Sequence, residues 1–133
     1  MVNKNKSVLQ HIKKYCYDIK SFIDRFGGDY DVFKTDRAYF NAVSMCILQI
    51  GELSGSLSDD FRSETSEKIP WADIRGMRNI VAHNYGSLDE ELVWETATDM
   101  VLDITTVCLQ RYIRTKFVLL TGNWLRTLAI IRV

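Results

Sequence analysis

The side chains best equipped for chemistry lie in one stretch, Trp71-Ala-Asp-Ile-Arg-Gly-Met-Arg-Asn-Ile-Val-Ala-His-Asn-Tyr85, which carries Arg78, Asn79, His83 and Tyr85. The combination suits phosphodiester chemistry on RNA. RNA brings its own nucleophile, the 2′-hydroxyl, so cleavage needs no metal in principle. It does need an acceptor for the hydroxyl proton, a donor for the leaving oxygen and positive charge beside the phosphorane-like transition state. Histidine, with an ordinary pKa of about 6.5, serves in either proton role near neutrality. Arginine stays charged and offers a fork that fits phosphate oxygens. Tyrosine orients a phosphate or stacks on a base, and Asn79 is placed to position either the scissile phosphate or the imidazole.

The spacing sets a geometric condition. Seven residues span about two helical turns, so Arg78 and Tyr85 share a face of a regular helix. His83 follows Arg78 by five positions and points elsewhere. It joins the other two only if the helix loosens near His83, or if a second protomer supplies part of the site. A purely structural reading stands beside the catalytic one. In it His83 caps a helix C-terminus, Arg78 bridges to Asp73 or Asp99, and Tyr85 is a core residue with its hydroxyl bonded. His11 reads as a surface residue.

These residues need helices to hold them. One proline and seven glycines leave long runs without breakers, which favours helix over strand-and-turn architecture. Val8, Ile12, Tyr15, Ile19, Phe22 and Phe26 recur in steps of three and four and predict a first helix, ended at Gly27-Gly28. A second is expected from Thr35 or Asp36, as N-cap, to about Leu57, with Tyr39, Val43, Cys46, Ile47, Ile50 and Leu53 inward. The polar run Ser58–Lys68 reads as a surface loop or frayed helix end. Pro70 can open a third helix as its first residue, after the poor cap Ile69. This helix bears the motif and stops near Asn84-Tyr85-Gly86, with Gly86 the natural terminator. Ser87-Leu88-Asp89-Glu90 has the form of a capping box. It begins a fourth helix with Trp94, Ala97, Val101, Ile104 and Cys108 on one stripe, reaching about Lys116. The sum is an all-α, four- to five-helix up-down bundle, a single domain over residues 1–133, with a tail at 117–133 whose periodicity is weak.

Composition narrows the function. Seventeen basic and seventeen acidic residues cancel, which disfavours simple coating of nucleic acid while leaving room for a local basic patch at a dimer seam. Cys16, Cys46 and Cys108 are far apart and form no CxxC pair, so they read as reduced, buried cytoplasmic thiols, and no metal ligand set or cofactor is expected. The opening MVNKNKSVLQ lacks the apolar core of a signal peptide. Residues 117–133 are apolar but are broken by Gly122, Asn123, Arg126 and Arg132, too much for a membrane span.

Arg78-Asn79, three residues, then His83-Asn84-Tyr85 resembles the R-x4-H-x-Y motif of HEPN domains. Trp71-x-x-Ile74-x-x-Met77-Arg78-Asn79, Val93-Trp94 and Ile50-Gly51-Glu52 are similar to the HepT branch, and the likeness covers about residues 5 to 113. The ending from Lys116 to Val133 departs from that branch. The resemblance implies a bundle that dimerises through the motif-bearing helices. It implies a metal-independent endoribonuclease acting as the toxin of a type II toxin–antitoxin system. It also implies an MntA-like nucleotidyltransferase antitoxin that silences the toxin by transferring AMP to the motif tyrosine, here Tyr85, in a homodimer or a larger hetero-oligomer. On that basis Arg78 stabilises phosphate, His83 handles the proton, and Tyr85 supports the site and receives AMP. The competing reading is a non-catalytic HEPN module that binds a nucleotidyltransferase or a nucleotide, which suits the zero net charge. A plain structural dimer explains least, because a scaffold has no use for Arg78, His83 and Tyr85 together.

Overall fold

The computed structural model describes residues 2–107. Cys108, the expected helix end near Lys116 and the tail 117–133 lie outside them. Among the described residues the chain forms six α-helices and no strand. The bundle class read from the sequence is what the chain adopts, with two short helices added.

Helix α1 (Val2–Arg25) buries Ile12, Cys16 and Ile19. It ends as the glycine pair predicts. Gly27 and Gly28 take φ of 78° and 69°, and their N–H groups donate to Asp24 O (3.2 Å) and Ile23 O (2.9 Å), satisfying the last carbonyls. A short helix α2 (Tyr30–Thr35) follows, capped by Asp29 and burying Phe33; the sequence reading passed over it. Helix α3 (Arg37–Ser54) starts at the expected cap, where Asp36 Oδ1 accepts from Tyr39 N–H at 3.0 Å. It stops at Ser54, short of Leu57, which is buried in the turn that follows.

The polar run expected as a surface loop or frayed helix end holds a separate helix, α4 (Asp59–Thr65). Ser58 caps it, accepting from Phe61 N–H at 3.2 Å. Phe61 and Thr65, four residues apart, are buried on one face, enough to anchor a polar segment. Thr65 Oγ1 also accepts from Trp71 Nε1 at 2.9 Å, which ties α4 to helix α5 (Trp71–His83). Pro70 stands just before α5 rather than as its first residue. Two further local readings need correction. Gly86 is not the terminator, because its φ is not positive. The helix is broken by Asn84 at φ −148°, ψ 52°, and a 3-10 turn (Tyr85–Ser87) follows. The capping box is not formed either. Asp89, two residues on, caps helix α6 (Glu90–Glu95) by accepting from Glu91 N–H and Leu92 N–H, while Ser87 Oγ donates back to Asn84 O. Helix α6 runs on through a π turn (Thr96–Met100) and stays helical to residue 107.

Helix α3 is central, packed against α1 on one side and α5 on the other. Next to it Phe26 stacks on Tyr39 at 4.3 Å, and Phe33 meets Tyr39 edge-on at 5.0 Å and Trp94 at 5.1 Å. No described helix is long and apolar enough to cross a membrane. Cys16 and Cys46 are both buried in the core.

Burial, with a smaller push from Asp24, raises the Tyr39 hydroxyl from 10.0 to about 12. Burial, with Asp18, raises the Cys46 thiol from 9.0 to about 11. The folded chain therefore holds these protons more tightly than the unfolded one. Their stabilisation is complete below about pH 9 and is lost as pH climbs through about 11 to 12. Urea midpoints followed by circular dichroism are expected to hold steady from pH 7 to 9 and then fall. Phenylalanine at position 39 should blunt the fall, and an unchanged alkaline decline in that variant would contradict the assignment.

Candidate active site

Arg78 sits five residues before the end of α5, on the side facing α3. The approach there is close because Gly51 has no side chain: a Cβ at that position would clash with Arg78 Cβ and lie 2.9 Å from its Cγ. Past Gly51 the guanidinium meets Glu52, whose Oε1 accepts from Nε and pairs with Nη2. Nη1 donates to Asn79 Oδ1 at 2.8 Å. Two neighbours thus fix the fork while the side chain remains 29% exposed. The bridge to Asp73 or Asp99 is not made. Glu52, on the neighbouring helix α3, takes that place.

Tyr85 is half-buried in the turn after α5. Its hydroxyl donates to Asn41 Oδ1, and its ring lies 6.0 Å from that of Phe40. Arg37 covers the Phe40 ring at 4.6 Å. Tyrosine in the core with a bonded hydroxyl was the structural alternative, and the geometry meets it halfway.

His83 is the last residue of α5 and is exposed. Its side chain has no hydrogen bond, ion pair or ring partner among the described residues. The capping role is absent, and the last turn is closed instead by Asn84 N–H donating to Ile80 O at 2.8 Å. Asn79 serves Arg78, not the imidazole.

Within one protomer the trio does not converge. Asn41 and Glu52, the partners of Tyr85 and Arg78, stand eleven residues apart on α3, about 16 Å along its axis at 1.5 Å per residue. They nevertheless share a face, since eleven residues make about three turns. Met45 lies between them on that face and is 53% exposed. His83 stands about 140° round α5 from Arg78. The helix end at His83 does free Tyr85 from helical register, but the loosening brings Tyr85 to Asn41 rather than to Arg78.

Glu52 and Asn41 were not foreseen as site residues. Glu52 had a signal, as part of Ile50-Gly51-Glu52 in the sequence likeness. Asn41 had none, since its role depends on where Tyr85 swings after the helix ends.

Charge is segregated despite the zero total. Residues 89–103 hold six acids (Asp89, Glu90, Glu91, Glu95, Asp99, Asp103) and no base. The start of that acidic stretch, together with Asp31, adds to burial in raising the Tyr30 hydroxyl. Helix α1 carries six Lys or Arg against two Asp. No group of three His, Cys, Asp or Glu side chains among the described residues is arranged to hold a metal ion.

Comparison with known proteins identifies the family of the chain. The family model described as Ribonuclease HepT-like matches residues 12–111. A protein of Methanocaldococcus jannaschii named "Putative RNase MJ0125" is 36% identical over 91 residues, 65% of this chain and 78% of the relative. A second from that organism, named "Putative RNase MJ1380", is 31% identical over 96 residues, 72% of this chain and 85% of the relative. "Probable ribonuclease HepT" of Thermococcus cleftensis is 29% identical over 92 residues, 65% of this chain and 83% of the relative. No solved structure gave a significant match. With Arg78, Asn79, His83 and Tyr85 all inside the matched span, the chain belongs to the HepT-like ribonuclease family.

Proposed function

We propose that this chain is the toxin of a type II toxin–antitoxin pair, an endoribonuclease that cleaves RNA without a metal at a site composed by two protomers. The observation that carries the reading is the contrast between its two chemical groups. Arg78 is a cation held in place by Glu52 and Asn79, and His83 is an exposed imidazole with no partner among the described residues. Arg78 neutralises the phosphorane-like transition state. One imidazole takes the 2′-hydroxyl proton as the oxygen attacks phosphorus. A protonated imidazole then gives its proton to the departing 5′-oxygen. The products are a 2′,3′-cyclic phosphate and a 5′-hydroxyl.

A single protomer supplies one His83, about 140° from Arg78 round the helix, and two-fold association answers both shortfalls at once. Exposed Met45, flanked on its helix face by Asn41 and Glu52, supports a seam over α3 and the motif helix. The antitoxin in this reading is a nucleotidyltransferase that places AMP on Tyr85. An anionic group at that position repels RNA and fills the cleft.

Incubation with RNA in excess chelator is expected to yield fragments ending in 2′,3′-cyclic phosphate. Incubation with the nucleotidyltransferase and ATP is expected to add one adenylyl group to Tyr85 by mass spectrometry and to stop cleavage. An inhibited complex with unmodified Tyr85 would mean inhibition by steric cover. The engaged state of Arg78, together with zero net charge, favours a second reading, a non-catalytic module that binds the nucleotidyltransferase. Tight binding to that partner with no cleavage by the dimer alone would select it.

A further inference from the structure

We propose that Arg75 forms a second phosphate subsite, gripping the phosphodiester next to the one that Arg78 engages. This rests on the RNA-cleaving reading above. Arg75 precedes Arg78 by three residues on α5, so their Cβ atoms are about 5–6 Å apart on the same side of the helix. That separation lets two guanidinium groups take adjoining phosphates of one strand. The side chain reaches the C-terminal end of α3, where a Cβ on Gly55 would stand 3.4 Å from its Nη1 and 3.5 Å from its Nη2. Arg62 arrives at the same place from α4, its Nη1 donating to Ser54 O at 3.5 Å. Three arginines from two helices thus gather where α3 ends.

They differ in what holds them. Glu52 pairs with Arg78 and Asp59 pairs with Arg62. Arg75 is exposed and has no carboxylate or hydrogen-bond partner among the described residues. Among the described residues it is therefore the one arginine of the cluster without an ion pair. A cation beside the negative end of a helix dipole also has a structural explanation. That explanation fits Arg62, which bonds a terminal carbonyl, but Arg75 makes no such bond. The acidic stretch 89–103 holds no base, so a strand leaving Arg78 gains more along the arginine cluster than along that stretch.

The test uses a single-stranded oligoribonucleotide with 2′-O-methyl riboses, which cannot be cleaved, titrated against the full chain at several salt concentrations. Arg75→Ala is expected to weaken binding about fivefold to tenfold and to reduce the slope of log affinity against log salt by about 0.7, one single-strand phosphate contact. Arg75→Lys should keep the slope. On cleavable RNA, Arg75→Ala should raise KM and leave kcat near wild type, with the melting temperature unchanged. Wild-type affinity and slope in Arg75→Ala would overturn the subsite. So would a lower melting temperature with intact binding, the mark of a helix-end role. A wild-type chain that binds the oligonucleotide but cleaves no RNA would sink the catalytic reading alone, and one that fails to bind it would sink both.

Discussion

Alanine at position 83 is expected to lower RNA cleavage by about 10²–10⁴-fold while the helical spectrum and melting temperature stay as in wild type. The two halves of that expectation have separate origins. His83 is exposed at the end of α5, and its side chain has no partner among the described residues. Removing it leaves no cavity and no orphaned polar group, so stability moves by no more than about 0.5 kcal/mol. On the proposed mechanism the activity falls because the imidazole is the group that moves the protons. Arg78→Ala should cost a similar factor through loss of transition-state charge. Its stability cost is modest, since Arg78 and Glu52 are both partly open to solvent. A His83→Ala protein that loses activity and fold together would indicate a structural histidine.

The second large effect is expected at a glycine. Gly51→Ala should destabilise the chain by about 1–3 kcal/mol, the usual cost of overpacking, and should also impair cleavage at least tenfold. The added Cβ meets the Arg78 stem and lies 3.3 Å from Ile74 O. Either α3 and α5 separate or Arg78 leaves its seat against Glu52, and both displace the guanidinium. Gly76, in the middle of α5, is the matched control. It is exposed and a Cβ there meets nothing within 4 Å, so Gly76→Ala should stabilise by about 0.5–1 kcal/mol through helix propensity. Opposite signs in thermal melts, with activity lost only at position 51, are the expected result. Stabilisation by both alanines would mean that the close approach of α3 to α5 is not needed.

That pair of glycines also shows what a sequence discloses and what it withholds. Both occur inside helical patterns and look alike by propensity. Only the packing of α3 on α5 separates them. The first helix was legible because its apolar stripe and its glycine stop are local signals. The motif helix was legible for the same reason, and Arg78, Asn79, His83 and Tyr85 were picked out by residue type. The partners were not legible. Glu52 lies twenty-six residues from Arg78 and Asn41 forty-four from Tyr85, distances over which spacing says nothing. Helix α4 was missed because Ser58, Phe61 and Thr65 give a cap and a face within a run too polar to show a stripe. At the start of α6 the capping box pointed to Ser87, but Ser87 ends the 3-10 turn begun at Tyr85 and Asp89 is the cap.

The most direct test is a synthetic RNA cut by the wild-type protein, remade with one 2′-deoxyribose at the cleavage position and assayed in chelator. Loss of cleavage at that position alone, with 2′,3′-cyclic phosphate ends at every other cut, is the predicted result. Continued cutting at the deoxy position, or products carrying 5′-phosphate, would contradict a mechanism in which Arg78 and His83 promote attack by the neighbouring hydroxyl.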